Sequence, residues 1–163
     1  MKLSKFTLFL ALIFSASISQ ANSDQPLIKT YKAEANLLLK QLNEKSSDQI
    51  EELSKNLVNT SQLIISQVNN NLPQCKAYFL ALLNAADTMA DLPLEEIESG
   101  YHADGLLPPL KDATCYHAKD LLVHPATVQA MARIGIQTDE QWQDAKQEIV
   151  EVLAHLGAVN NQL

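Results

Sequence analysis

Three of the four histidines, His102, His117 and His124, fall between Gly100 and Pro125, and Asp104 and Asp120 lie among them. Imidazole and carboxylate are ordinary ligands for zinc and other divalent ions, so metal binding is the sharpest chemistry this stretch offers. Spacing limits the arrangement. On a helix, His117 and His124 stand about 10 Å apart along the axis and cannot both reach one ion. Asp120 with His124 at four residues, or His117 with Asp120 at three, can chelate, and His102 or Asp104 from the preceding loop would complete the sphere. A His–Asp pair can also serve as a general base and its orienter. The neighbouring nucleophiles, however, are only Thr114, Tyr116 and Cys115, and the chain has no GxSxG, HExxH, paired CxxC, EF-hand loop or CxxCH. Met89 or Met131 could pair with a histidine on haem, but methionine on an apolar helix face is ordinarily core.

The same residues have structural roles open to them. His102 and Asp104 can hydrogen-bond loop backbone, Asp104-Gly105 is a turn signal, Asp120 can pair with Lys119, and His124 can stand where Pro125 starts a new helix. The patch His102, Asp104, His117, Asp120 and His124 is therefore read as a candidate binding surface without a catalytic motif. A divalent metal held by part of it is the alternative, and no other cofactor is expected.

The elements that must position these residues read as helices throughout. No stretch shows sustained period-two alternation, and the four glycines fall where the three-and-four apolar spacing stops. A first helix is expected from Asp24 to Asn43, with Pro26 in its first turn. A second begins near Ser46, with Ser46 and Gln49 as a capping pair. The third runs from Leu72-Pro73 to Ala90, is apolar over more than one face, and is expected to be the most buried. A short helix, Leu92 to Ser99, is capped by Asp91 and ended by Gly100. The fourth starts at Asp112 and breaks at His124-Pro125, because proline removes a donor and disfavours helix in the residue before it. The last starts at the Thr138/Gln141 capping box and ends before Gly157. The expected fold is an all-α, single-domain bundle of four main helices, one broken at Pro125, with a short helix and an ordered proline-rich loop. Within the Asp112–Leu122 segment, Cys115, Ala118, Leu121 and Leu122 group on the core side and His117 and Asp120 roughly opposite, joined by His124 if the helix persists that far. The loop from Tyr101 to Pro109 is the nearest cover for that polar side.

Compartment follows from the N-terminal residues and the cysteines. Lys2 and Lys5 precede an apolar run from Phe6 to Phe14 and a small, polar stretch ending at Ala21. This reads as a signal peptide over residues 1–21, leaving a domain of residues 22–163. The run is too short to span a membrane, and no membrane anchor is expected. Cys75 and Cys115 are the only cysteines, and in an oxidising compartment an even pair reads as a disulfide. The chain carries 12 basic and 19 acidic residues. Cleavage would remove two lysines and no acid, and so acidic a surface repels phosphate backbones, which excludes nucleic acid as a partner. The sequence thus suggests a periplasmic or secreted binding or accessory protein, acting on another exported protein or a small ligand. A metal-binding protein or metal-dependent enzyme is the alternative.

Overall fold

The computed structural model describes residues 25–110 and 112–163; the expected signal peptide lies outside the described residues. These residues form six α-helices and no strand. They are α1 (Pro26–Asn43), α2 (Ile50–Asn71), α3 (Lys76–Met89), α4 (Leu94–Ile97), α5 (Ala113–Ile134) and α6 (Asp139–Asn160). A 3₁₀ turn, Pro73–Cys75, leads into α3, and a π-helical turn, Glu98–His102, continues α4.

Helices α1, α2, α5 and α6 close a ring in which each packs on two neighbours, while α3 lies outside against α2 and α5. Polar contacts at the two ends fix the directions. Lys45, just past α1, bonds Asp139 at the start of α6, and the Gln25 amide bonds Asn160 at its end. Asn71 at the end of α2 donates to the Gln162 carbonyl just past α6. Neighbours round the ring are therefore antiparallel, as short connections between successive helices favour. Ile28, Tyr31, Ala35, Leu38 and Leu42 of α1 meet Leu57, Ile64, Ile65 and Val68 of α2 and Ala145, Ile149, Val152 and Leu156 of α6 in one core. Cys75 and Cys115 form a disulfide that ties the end of α2 to the start of α5. At a sequence separation of 40, the closed loop stabilises the fold by roughly 4 kcal/mol in the chain-entropy model.

Helix α5 runs unbroken through Pro125, contrary to the sequence expectation. Proline leaves the Leu121 carbonyl, four residues back, without its helical donor. The hydroxyl of Tyr31, fully buried on α1, donates to that carbonyl at 2.6 Å. A phenol from across the core thus replaces the missing N–H, and the helix carries Asp120 and His124 forward in one register.

Other boundaries shift for local reasons. Helix α2 starts at Ile50, and neither its start nor that of α4 has a side-chain cap, so the Ser46/Gln49 and Asp91 caps do not form. Gly100 does not end the short helix. The chain widens into the π-turn, whose Ser99 and Gly100 carbonyls accept from the Gly105 and Leu106 amides. A Cβ on Gly105 would lie 2.4 Å from the Ser99 oxygen, so only glycine permits this approach. The Thr138/Gln141 capping box is present at the start of α6, but α6 continues through Gly157 to Asn160. The most buried helix is α5, not α3: every residue from Ala118 to Val128 is buried, whereas α3 leaves Leu80 exposed.

Candidate functional site

The cluster forms where α5 meets α6 and the π-turn. Asp120 and His124, one turn apart on α5, are 1% and 4% exposed. Their cover is chiefly α6, which brings Glu148, Glu151 and His155, with the π-turn adding His102. All four histidines converge here. The His102 and His124 rings meet edge-on with centroids 4.8 Å apart, those of His117 and His155 lie 5.0 Å apart, and those of His124 and His155 are stacked at 6.2 Å.

Lys119, itself buried, donates to the His102 carbonyl at 2.8 Å and to Asp104 at 3.2 Å, and stands 3.6 Å from Asp120 Oδ1. Asp104, at a positive φ of 61°, also accepts from the Tyr78 hydroxyl at 2.6 Å. The Tyr78 phenol is pushed up first by burial and then by that bond and charge. Asp104 is thereby committed to the loop and to Lys119, and it does not belong to either group of residues placed to share an ion.

Those groups are His102, His124 and Glu148, and Asp120, His124 and His155, each with ligand atoms within 4.8 Å of one another. Asp120 and His124 thus pair as the four-residue spacing allows. Their third partner is His155 from α6, where the sequence suggested His102 or Asp104. His102 instead joins His124 through Glu148. His117 belongs to neither group; its Nδ1 lies 2.7 Å from His155 Nδ1.

Burial dominates the electrostatics of the inner group. Neither oxygen of Asp120 accepts a hydrogen bond of good geometry, although the Tyr116 hydroxyl lies close enough to help hold its charge. Burial pushes its pKa up, against the pull of His124, Lys119 and His155. Burial alone would lower the His124 imidazolium, but the hydrogen bond and charge of Glu148, helped by Asp120 and Glu151, outweigh it and raise its pKa. His155 and His102 are both lowered, chiefly by burial and against the nearby carboxylates.

Glu148, Glu151 and His155 are the residues that sequence reading overlooked. They carry a signal nonetheless, because Glu148, Glu151 and His155 lie along one flank of the last helix's apolar stripe, and Glu151 and His155 repeat the four-residue Asp120–His124 spacing. Lys119 gave no signal beyond its adjacency to Asp120.

Fold and site together define a four-helix bundle with a buried histidine–carboxylate cluster between two antiparallel helices. Comparison with protein-family models, curated proteins and solved structures finds no match to this chain.

Proposed function

We propose that this protein is an exported binding protein whose ligand is a divalent transition-metal ion held in the cluster between α5 and α6. One observation carries the reading. Asp120 is a buried carboxylate with no hydrogen bond of good geometry to either oxygen, faced by the side chains of His155, Lys119, His124 and Tyr116 rather than by backbone donors. Withdrawing a carboxylate from water is expensive unless a cation or a full set of donors compensates it. Lys119 is the resident cation, but its hydrogen bonds go to His102 and Asp104. Asp104, Asp120, Glu148 and Glu151 outnumber Lys119 even when His124, whose pKa is raised, is counted as a second cation, so the cluster carries excess negative charge and favours a divalent cation. Mixed imidazole and carboxylate donors suit zinc and its neighbours in the first transition row.

Burial also separates an ion from the other ligands the sequence left open. Asp120 and His124 are too deeply buried to meet a protein surface or an organic molecule, which leaves a ligand as small as an ion. Export is supported by the leader-like segment at residues 1–21 and agrees with the Cys75–Cys115 disulfide. No helix among the described residues is long and apolar enough to cross a membrane.

The test is titration of untagged protein with Zn(II), followed by calorimetry and elemental analysis. One ion per chain, with a melting temperature that rises with free zinc, is expected. Asp120→Asn should abolish uptake. No uptake by the wild-type chain up to millimolar zinc refutes the reading.

A further inference from the structure

We infer that the ion is taken by Asp120 and the Nε2 atoms of His124 and His155, and that Glu148 and His117 are positioning residues holding the Nδ1 side of each ring. This rests on the reading of the cluster as a divalent-ion site and assigns the atoms within it. Two ligand groups share His124, and hydrogen bonding distinguishes them.

The outer group is already satisfied. The Thr127 hydroxyl spends its proton on the Val123 carbonyl at 3.0 Å. Its oxygen therefore accepts from His102 Nε2, also 3.0 Å away, and that nitrogen carries a proton rather than a free lone pair. Glu148 Oε2 lies 2.5 Å from His124 Nδ1, a hydrogen bond from ring to carboxylate. Glu148 is thus occupied as the acceptor that holds the His124 ring.

The inner group is unsatisfied. His155 Nε2 is 3.3 Å from Asp120 Oδ2, and His124 Nε2 is 3.9 Å from Asp120 Oδ1. Metal–ligand bonds of 2.0–2.2 Å in a tetrahedron set neighbouring ligands about 3.3 Å apart. The His155–Asp120 edge already has this length, and the three residues, with ligand atoms within 4.8 Å of one another, would close around the ion along the other edges. With Nδ1–H of His124 on Glu148, its Nε2 is the lone pair turned toward Asp120. The contact between His155 Nδ1 and His117 Nδ1 does the same for His155 when His155 donates and His117 accepts. Metal-bound histidines characteristically have the other ring nitrogen held in this way, which fixes tautomer and orientation. Glu151, whose Oε2 is 3.7 Å from His124 Nε2 and whose side chain is partly exposed, is the nearest further donor on the solvent side of this group.

The experiment combines Zn(II) affinity with long-range ¹H–¹⁵N spectra of the histidine rings in untagged protein. The wild type should bind one ion, with Nε2 of His124 and His155 shifted to metal-bound positions and His102 unchanged. Glu148→Ala and His117→Ala should each weaken Zn(II) about 10- to 100-fold at unchanged stoichiometry. Glu148→Gln, which keeps an accepting oxygen, should lie within a few-fold of wild type. If the wild type binds an ion but both alanine variants bind it equally well, the positioning roles are overturned. They are overturned equally if a second ion is taken up, or if the spectra place the metal on His102 or on Nδ1 of His124, because Glu148 would then be a ligand. Failure of the wild type to bind any ion defeats the underlying reading instead.

Discussion

Replacing Tyr31 with phenylalanine tests whether a side chain on α1 maintains the continuity of α5. The substitution removes one hydroxyl from a fully buried ring and leaves the apolar packing in place. The Leu121 carbonyl, already deprived of a donor by Pro125, then has no partner in the core. Leaving a buried acceptor unsatisfied costs about 1–3 kcal/mol, against total stabilities of about 5–15 kcal/mol for natural domains. Urea unfolding should show the midpoint falling with little change in slope. The decisive comparison is with Pro125→Ala, which restores an N–H in register with the Leu121 carbonyl. In that background the loss of the Tyr31 hydroxyl should cost appreciably less, giving a coupling of about 1 kcal/mol in a double-mutant cycle. Strictly additive effects would refute the reasoning, since the hydroxyl and the proline would then act independently. Because Asp120 and His124 flank Leu121 on this helix, the Tyr31→Phe variant should also bind zinc more weakly than wild type.

Further expectations concern the supports around the cluster. Asp112 caps α5 by accepting from the Thr114 amide and hydroxyl, and these bonds, with one from Gln74, hold its carboxyl down at about 2. A depressed folded-state value means that this contribution is fully present above the ordinary carboxyl range and is lost as pH falls from about 4 through about 2. Asp112→Asn should therefore flatten the acid limb of stability measured by circular dichroism; an unchanged limb would rule out this bond as its source. Gly105→Ala should destabilise the π-turn, because its Cβ meets the Ser99 oxygen, and hydrogen exchange should rise at the Gly105 and Leu106 amides before the rest of the bundle opens. Removing the disulfide with Cys75→Ala and Cys115→Ala should lower stability by roughly 4 kcal/mol, and denaturation at equal pH with the native chain as reference measures it.

Much of the fold was written locally. Three-and-four apolar spacing marked α1, α2, α3 and α6, the Thr138/Gln141 pair marked the start of α6, and the two cysteines implied their bond. These features depend on neighbours within a turn or two, or on a pairing with only one solution. Where a boundary depended on contacts outside its own turn, local signals misled. Pro125 looked like a break because its missing N–H is a local fact, while the Tyr31 hydroxyl that compensates it lies 90 residues away from Leu121. Gly100 looked like a stop because the amides of Gly105 and Leu106 that bond back across it belong to the following loop.

The candidate site divides in the same way. The sequence by itself determined that Asp120 and His124 share one side of a helix, and that His117 and His124 cannot meet at one ion, because helical rise and turn are fixed per residue. It left the polar side carrying His117, Asp120 and His124 facing water or a cover, with the Tyr101–Pro109 loop as the nearest candidate. Only the tertiary structure decided that this polar side is buried, that α6 rather than the proline-rich loop is its main cover, and that His155 completes the group while Asp104 is drawn away by Tyr78 and Lys119. The physical reason is that packing of antiparallel helices brings together residues far apart in sequence, and a buried polar group reveals its purpose only through the partners that burial gives or denies it.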